Sequence, residues 1–195
     1  IFEMYPIGFI SLISNLIPKG YKVNIENLAV QMILHENLDV ERKISKLDAN
    51  MIAMDLHWLP HVHGVINIAK MVKKYHPDTP IILGGLSSTY FYKELINFPF
   101  IDFILLGDTT EPFFSDLIET YQKNSDFSKI PNLVWKDNGR VRINNIENPE
   151  NYINSVKLDY HAFMKMCFSN LQIESSFPYS DWTKSPSAMT FIQKG

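Results

Sequence analysis

Half of the six histidines of this chain, His57, His61 and His63, fall within seven residues of each other in Asp55-Leu-His-Trp-Leu-Pro-His-Val-His-Gly64. Imidazole titrates near neutral pH and ligates metals through either ring nitrogen. Asp55 and His57, with His61 and His63, therefore offer an N and O donor set suited to a transition metal. The other reading makes them loop side chains that face water or a ligand and hold no ion. Pro60 places the start of the following helix near Val62, which takes His57 and His61 off a common helix face. Two more stretches are rich in small and hydroxyl residues, Gly84-Gly-Leu-Ser-Ser88 and Gly107-Asp-Thr-Thr-Glu111. Gly84 and Gly85 let a large ligand approach the backbone where a β-carbon would collide. On that reading Gly85→Val abolishes ligand binding and leaves the fold largely intact. Ser87, Ser88, Thr109 and Thr110 sit where helices are expected to begin. Their hydroxyls there either cap the helix or meet an amide or phosphate. No Gly-x-Ser-x-Gly elbow is present, and the glycines do not fit Gly-x-Gly-x-x-Gly. Both absences argue against a serine hydrolase and a nicotinamide enzyme.

Each of the three stretches follows a short apolar run, Met51 to Met54, Ile81 to Leu83 and Ile101 to Leu106. Runs of that length suit buried strands. Between and around them lie helical patterns. Val62 to Tyr75 sets Val62, Val65, Ile66, Ala69 and Val72 on one stripe, with Lys70, Lys73 and Lys74 on the wet side. Ser87 to Ile96 and Glu111 to Lys123 read as further helices, the latter with Pro112 in its first turn. Upstream, Ile7 to Ile17 is a nearly all-apolar helix, Tyr21 to Leu28 alternates like a strand, and Leu38 to Leu47 is a short amphipathic helix. The alternation predicts an α/β domain: a doubly wound parallel sheet, Rossmann-like and flavodoxin-like, with helices on both faces. The chain opens with a helix, so the first strand of that unit is expected to be missing or very short. Parallel strands point their carboxyl ends one way, so the three loops should converge on one rim, where open α/β sheets bind ligands. The Tyr5-Pro6-Ile-Gly8 turn is expected beside them.

After Ser128 the texture changes. Asn132 to Trp135 and Arg140 to Asn144 flank Asp137-Asn-Gly139, a strong hairpin signal. Residues 151–195 are aromatic-rich with weak periodicity, and Ala188 to Gln193 reads as one more strand. The expected organisation is an α/β domain over 1–128, a hairpin over 129–150, and a linker over 151–195.

The net charge of −3, with no basic cluster, argues against nucleic acid as a partner. No apolar run is long enough to cross a bilayer, and the first residues lack the basic region of a signal peptide. A single cysteine, Cys167, excludes an internal disulfide and points to a reducing compartment, the cytoplasm. The chain lacks an initial Met and ends on Lys-Gly after an apolar run, so it reads as a piece of something longer.

Taken together, Ile81-Ile-Leu-Gly-Gly85, Ile101-Asp-Phe-Ile-Leu-Leu-Gly-Asp108, Glu111-Pro-Phe113 and the hairpin Asn132-Leu-Val-Trp-Lys-Asp-Asn-Gly-Arg-Val141 resemble the cobalamin-binding domain at the front of many radical SAM enzymes. The resemblance covers about residues 1 to 150. It implies a corrinoid on the sheet's carboxyl edge, with its nucleotide tail beside Gly84-Gly85 and the Ser87-Ser88 turn. The implied contacts are Tyr5, Pro6 and Gly8; Asp55, Leu56, His57, Trp58, His61 and His63; Gly84 to Ser88, including Leu86; and Gly107, Asp108, Thr109, Thr110 and Glu111. The cobalt-ligand motif of related domains is Asp-x-His-x-x-Gly. Asp55-x-His57 imitates its start, but Pro60 stands where the glycine belongs, and the motif follows the wrong strand. Ala188-Met-Thr-Phe-Ile-Gln-Lys-Gly195 resembles the first strand of the next domain, a radical SAM barrel, cut just before its cysteine motif. The resemblance therefore implies S-adenosylmethionine and a 4Fe-4S cluster in the parent protein only, where methyl transfer or related radical chemistry takes place. Two other readings remain open here: a corrinoid-free scaffold or interaction domain, and a small metal-dependent enzyme built on the Asp/His cluster.

Overall fold

A computed structural model describes residues 7–148, 158–177, 179 and 181–186. The chain divides into two compact units, Glu41–Glu150 and a second formed by Ile1–Val40 with Asn151–Gly195.

The first unit holds a five-stranded sheet whose strands lie side by side in chain order. Strands β1 (Ile52–Asp55), β2 (Ile81–Gly84) and β3 (Phe103–Leu105) are parallel. In register, Asp55 pairs with Gly84 and Leu83 with Ile104. Every residue of β3, and the first three of β2, are buried. This is why both strands read as continuous apolar runs and not as alternations. Ile81, Leu83 and Ile104 are fully buried, and removing each from water contributes about 1.5–3 kcal/mol. The connecting elements are α4 (Val62–Tyr75), the short helices α5 (Leu86–Tyr90) and α6 (Tyr92–Leu95), and α7 (Glu111–Gln122). Ala69 and Val72 of α4 are fully buried, as is Leu117 of α7.

The α/β class expected from the alternation holds, but the sheet is mixed. The expected hairpin forms strands β4 (Leu133–Asp137) and β5 (Arg140–Ile143). Strand β4 pairs antiparallel with β3, Phe103 opposite Trp135, so the hairpin extends the main sheet. Its two-residue turn has φ of 48° at Asn138 and 80° at Gly139, the mirror-image turn that Asn-Gly favours. The single helix expected over Ser87 to Ile96 is broken at Phe91, whose φ is −108°.

The second unit is helical. Helix α1 (Ile7–Leu16) and α8 (Tyr160–Ser169) enclose a cluster of Ile10, Ile13, Ile25, Phe163, Met166 and Cys167. The strand expected over Tyr21 to Leu28 does not form, and α2 (Leu28–Leu34) begins where it was to end. Val23 and Ile25 do point one way, but toward that helical cluster. The polar positions find side-chain partners in place of a ladder. Asn24 Oδ1 accepts from Asn170 Nδ2 at 3.1 Å, and the Asn27 N–H donates to Ser175 Oγ at 3.1 Å. Asn27 also caps α2, its Oδ1 accepting from the Val30 N–H. The helix expected over Leu38 to Leu47 is shorter, α3 at Val40–Ser45. Tyr5, Pro6 and the expected strand at Ala188 to Gln193 lie outside the described residues.

Candidate functional site: a rim at the carboxyl ends of the parallel strands

Strands β1, β2 and β3 end at Asp55, Gly84 and Leu105, and their three loops are bonded into one rim. The Leu56 N–H donates to Gly84 O at 2.8 Å, and the Ser88 N–H to Leu56 O at 3.2 Å. Ser87 Oγ donates to His57 O at 2.9 Å. Thr89 Oγ1 donates to Gly85 O at 3.1 Å and accepts from the Gly107 N–H at 2.9 Å, joining the second loop to the third. The predicted stretches around Asp55, Gly84 and Gly107 therefore do meet. Gly8, in α1, belongs to the other unit.

The two glycines of the pair have opposite surroundings. A β-carbon on Gly84 would meet nothing within 4 Å. One on Gly85 would stand 2.6 Å from Asp55 Oδ1 and 2.9 Å from both the His57 nitrogen and the Leu56 carbonyl carbon. Gly85 also has φ 99° and ψ 172°, a region essentially reserved for glycine. Its missing side chain is thus demanded by the chain's own first loop. The expectation that Gly85→Val spares the fold is corrected on this ground, and Gly84 is the position that leaves room for a ligand.

The hydroxyls are likewise committed within the loop. Ser87 and Ser88 are buried, and Ser88 Oγ donates to Gly85 O at 2.8 Å. They staple the turn into α5, leaving only their lone pairs to receive a donor. Thr110 precedes α7 without a side-chain capping bond. Glu111 is buried at the first turn of that helix, whereas Asp108 is exposed. Leu56 is fully buried and belongs to the core. The apolar surface open at this edge comes from Trp58, Leu59 and Leu86, which are 42%, 45% and 37% exposed.

His57 and His61 lie close enough to Asp55 to act on its charge. Solvent reaches Asp55, yet crowding by neighbouring atoms pushes its carboxyl above the ordinary carboxylate range, with His57 and His61 pulling it back. The His57 ring meets Trp58 edge-on, with centroids 5.1 Å apart. His63 bonds along α4, its Nδ1 accepting from Asn67 Nδ2 at 3.3 Å. Among the described residues no group of three His, Cys, Asp or Glu side chains is placed to hold a metal ion. Position 63 lies in the first turn of α4, so its direction is set by the helix and not by the loop.

Two positioning residues escaped the sequence reading. Thr89 is one, and its only signal was a hydroxyl in the first turn of an expected helix. Asn132 is the other, buried with φ 62°. Its Nδ2 donates to Leu106 O at 2.9 Å and Glu147 O at 3.0 Å, and its Oδ1 accepts from the Glu147 N–H at 2.6 Å. It fixes the backbone just ahead of Gly107. The signal was an asparagine, a residue tolerant of positive φ, directly before a strand.

Comparison with known proteins gives the chain's family and its fold relatives. The chain is 24% identical over 134 residues to the hopanoid C-3 methylase of Methylococcus capsulatus, covering 68% of this chain and 25% of that protein. The chain thus spans a quarter of the length of that curated relative. Its fold is similar to part of the radical S-adenosylmethionine methyltransferase TsrM from Kitasatospora setae, solved with tryptophan substrate and a SAM analog, at TM-score 0.63 and 15% identity, covering 79% of this chain and 30% of that one. It is also similar to the cobalamin-dependent S-adenosylmethionine radical enzyme OxsB, solved with aqua-cobalamin and S-adenosylmethionine, at TM-score 0.63 and 17% identity, over 82% of this chain and 22% of that one. Residues 2–114, more than half of the chain, match the B12 binding domain family, and the chain belongs to that family.

Proposed function

We propose that this chain is the cobalamin-holding module of a radical SAM enzyme whose chemistry is performed by a further domain of the parent protein. The observation that carries the reading is the rim itself, where three strand-end loops are bonded edge to edge around an unobstructed Gly84. The residues fit the group. Open space above Gly84 accommodates the approach of a long tail, and Trp58, Leu59 and Leu86 supply apolar surface for a macrocycle. Bound there, cobalamin supplies a cobalt centre able to carry a methyl group.

The chain's own residues bind and orient. His57, His61, Asp108 and Thr109 line the rim, together with Gly107 and Thr110. Gly85, Ser87, Ser88 and Thr89 hold the loops at a fixed spacing. His57 serves as a wall group and not as a cobalt ligand, because Pro60 breaks the ligand motif. The alternative metal enzyme needs a cluster of donors at this edge, and among the described residues no three His, Cys, Asp or Glu side chains are placed to hold an ion.

The division of labour follows. Residues 1–128 supply the platform, 129–150 the edge hairpin, and 151–195 the connection toward the S-adenosylmethionine and 4Fe-4S chemistry of the barrel. With one cysteine, the chain cannot hold such a cluster by itself. No helix among the described residues is long and apolar enough to cross a membrane, and we place the parent enzyme in the cytoplasm, with neither nucleic acid nor membrane as its partner. Titration with hydroxocobalamin tests the proposal: the visible spectrum should shift saturably, and the corrinoid should stay with the protein on gel filtration. A corrinoid that elutes separately, with an unchanged spectrum, would leave the scaffold reading standing.

A further inference from the structure

The opposite edge of the same sheet holds a second concavity, of about 260 Å³. It lies at the amino ends of β2 and β3, beside Pro80 and Asp102, a full strand length from the rim. One wall is aromatic. Phe127 sits between Phe103 and Trp135, with ring centroids 5.1 and 5.3 Å away, and Tyr121 meets Phe103 edge-on.

The other wall carries two ammonium groups in unequal states. Lys73 Nζ donates to Thr79 O at 2.8 Å and Pro77 O at 3.3 Å, and pairs with Asp102 Oδ2 at 2.9 Å. Three donors thus meet three acceptors. Lys136 Nζ donates to Phe98 O and Ile101 O, each at 2.7 Å. Its third N–H has no acceptor among the described residues, and no carboxylate pairs with it directly. Burial lowers the Lys136 pKa, with the Lys73 charge adding to that and Asp102 opposing it. The charge of an anion at Lys136 would oppose both, as Asp102 does.

We propose that this concavity binds a small aromatic monocarboxylate, its ring against Phe127 and Trp135 and its carboxylate on the remaining N–H of Lys136. The volume lies just below the range of ordinary ligand pockets, which begins at about 300 Å³, so the ligand is one or two fused rings. Asp102 and the exposed Asp78 at the same site disfavour multiply charged anions such as nucleotides. The carbonyl bonds of Lys136 also tie down the loop before β3. The ligand uses the one N–H that this structural role leaves over.

The test uses the whole chain labelled with ¹⁵N, in which three tryptophans give three indole signals, that of Trp135 identified by its loss in Trp135→Phe. Benzoate should move the Trp135 signal saturably and leave those of Trp58 and Trp182 in place. Benzyl alcohol, with the same ring and no charge, should bind at least about tenfold more weakly, the value of one charge-assisted hydrogen bond. Lys136→Met should lose benzoate binding to the same degree. Should Lys136→Met fail to fold, the pair of ligands on the unaltered chain decides. Equal affinity for benzoate and benzyl alcohol, or no saturable movement of the Trp135 signal, would overturn the proposal.

Discussion

Replacing each glycine of the pair by alanine separates what the fold needs from what a ligand needs. At Gly85 the added methyl meets backbone atoms of Leu56 and His57 at 2.9 Å. Backbone there is held in place by the Leu56 to Gly84 and Ser88 to Leu56 hydrogen bonds, so it yields little. Asp55 Oδ1, at 2.6 Å, can rotate away. Overpacking of this kind costs about 1–3 kcal/mol. The positive φ adds about 1–3 kcal/mol for a residue other than glycine. The sum, about 2–6 kcal/mol, is a large part of the total stability of an ordinary domain. Thermal unfolding of a chain this size moves by about 2–4 °C per kcal/mol. Gly85→Ala should therefore lower the melting temperature by roughly 4 °C at least, and by more than 10 °C near the centre of that range. Gly84→Ala meets nothing within 4 Å and should change stability by no more than about 0.5 kcal/mol. The same Gly84→Ala should weaken corrinoid binding if a tail passes over that position. A Gly85→Ala protein that melts with its parent would refute the packing argument.

Asn132→Ala removes three hydrogen bonds and the asparagine tolerance of φ 62°, and should destabilise by about 2–4 kcal/mol in urea unfolding. Burial pushes the Cys167 thiol up to about 11 from an ordinary value of 9.0. A raised pKa favours folding below the unfolded value and loses that advantage as pH climbs to the folded one. The stability difference between the parent and Cys167→Ala should therefore shrink by about 2–3 kcal/mol between pH 9 and 11; a pH-independent difference would contradict the assignment. In the cob(II)alamin complex, the electron paramagnetic resonance spectrum should lack threefold nitrogen splitting and be the same in His57→Ala. A splitting that vanishes on that substitution would make His57 a cobalt ligand.

Strands β2 and β3 were legible because burial on both faces writes itself as unbroken Ile and Leu, and the hairpin because Asp-Asn-Gly selects one turn. The convergence of three loops followed from parallel strands alone. Tyr21 to Leu28 misled because alternation reports only that every second side chain is buried. Val23 and Ile25 satisfy it against helices as well as against a sheet. The roles within the glycine pair were hidden for a different reason. Which of two adjacent glycines faces its own backbone depends on the Asp55 to His57 loop, brought there through the register of β1 on β2. Thr89 and Asn132 act through side-chain hydrogen bonds to backbone carbonyls and amides, two for Thr89 and three for Asn132, for which the sequence carries no periodic signal.

The unit built from residues 1–40 and 151–195 has a kinetic consequence. Its closing contacts are remote: Ser14 Oγ accepts from the Asp159 N–H across 145 positions, and Ser175 Oγ from the Asn27 N–H across 148. The sheet lies wholly inside that interval and uses short connections. During synthesis the sheet can form as soon as β5 has emerged, whereas α1 must wait for α8 before its apolar face is covered. Prior folding of residues 41–150 also replaces a long flexible tether by a compact body, which changes the loop-closure entropy that the two ends must overcome. The rim loops are thus assembled while the helical unit is still incomplete, and the apolar side of α1 spends that interval without the cover that α8 later gives it.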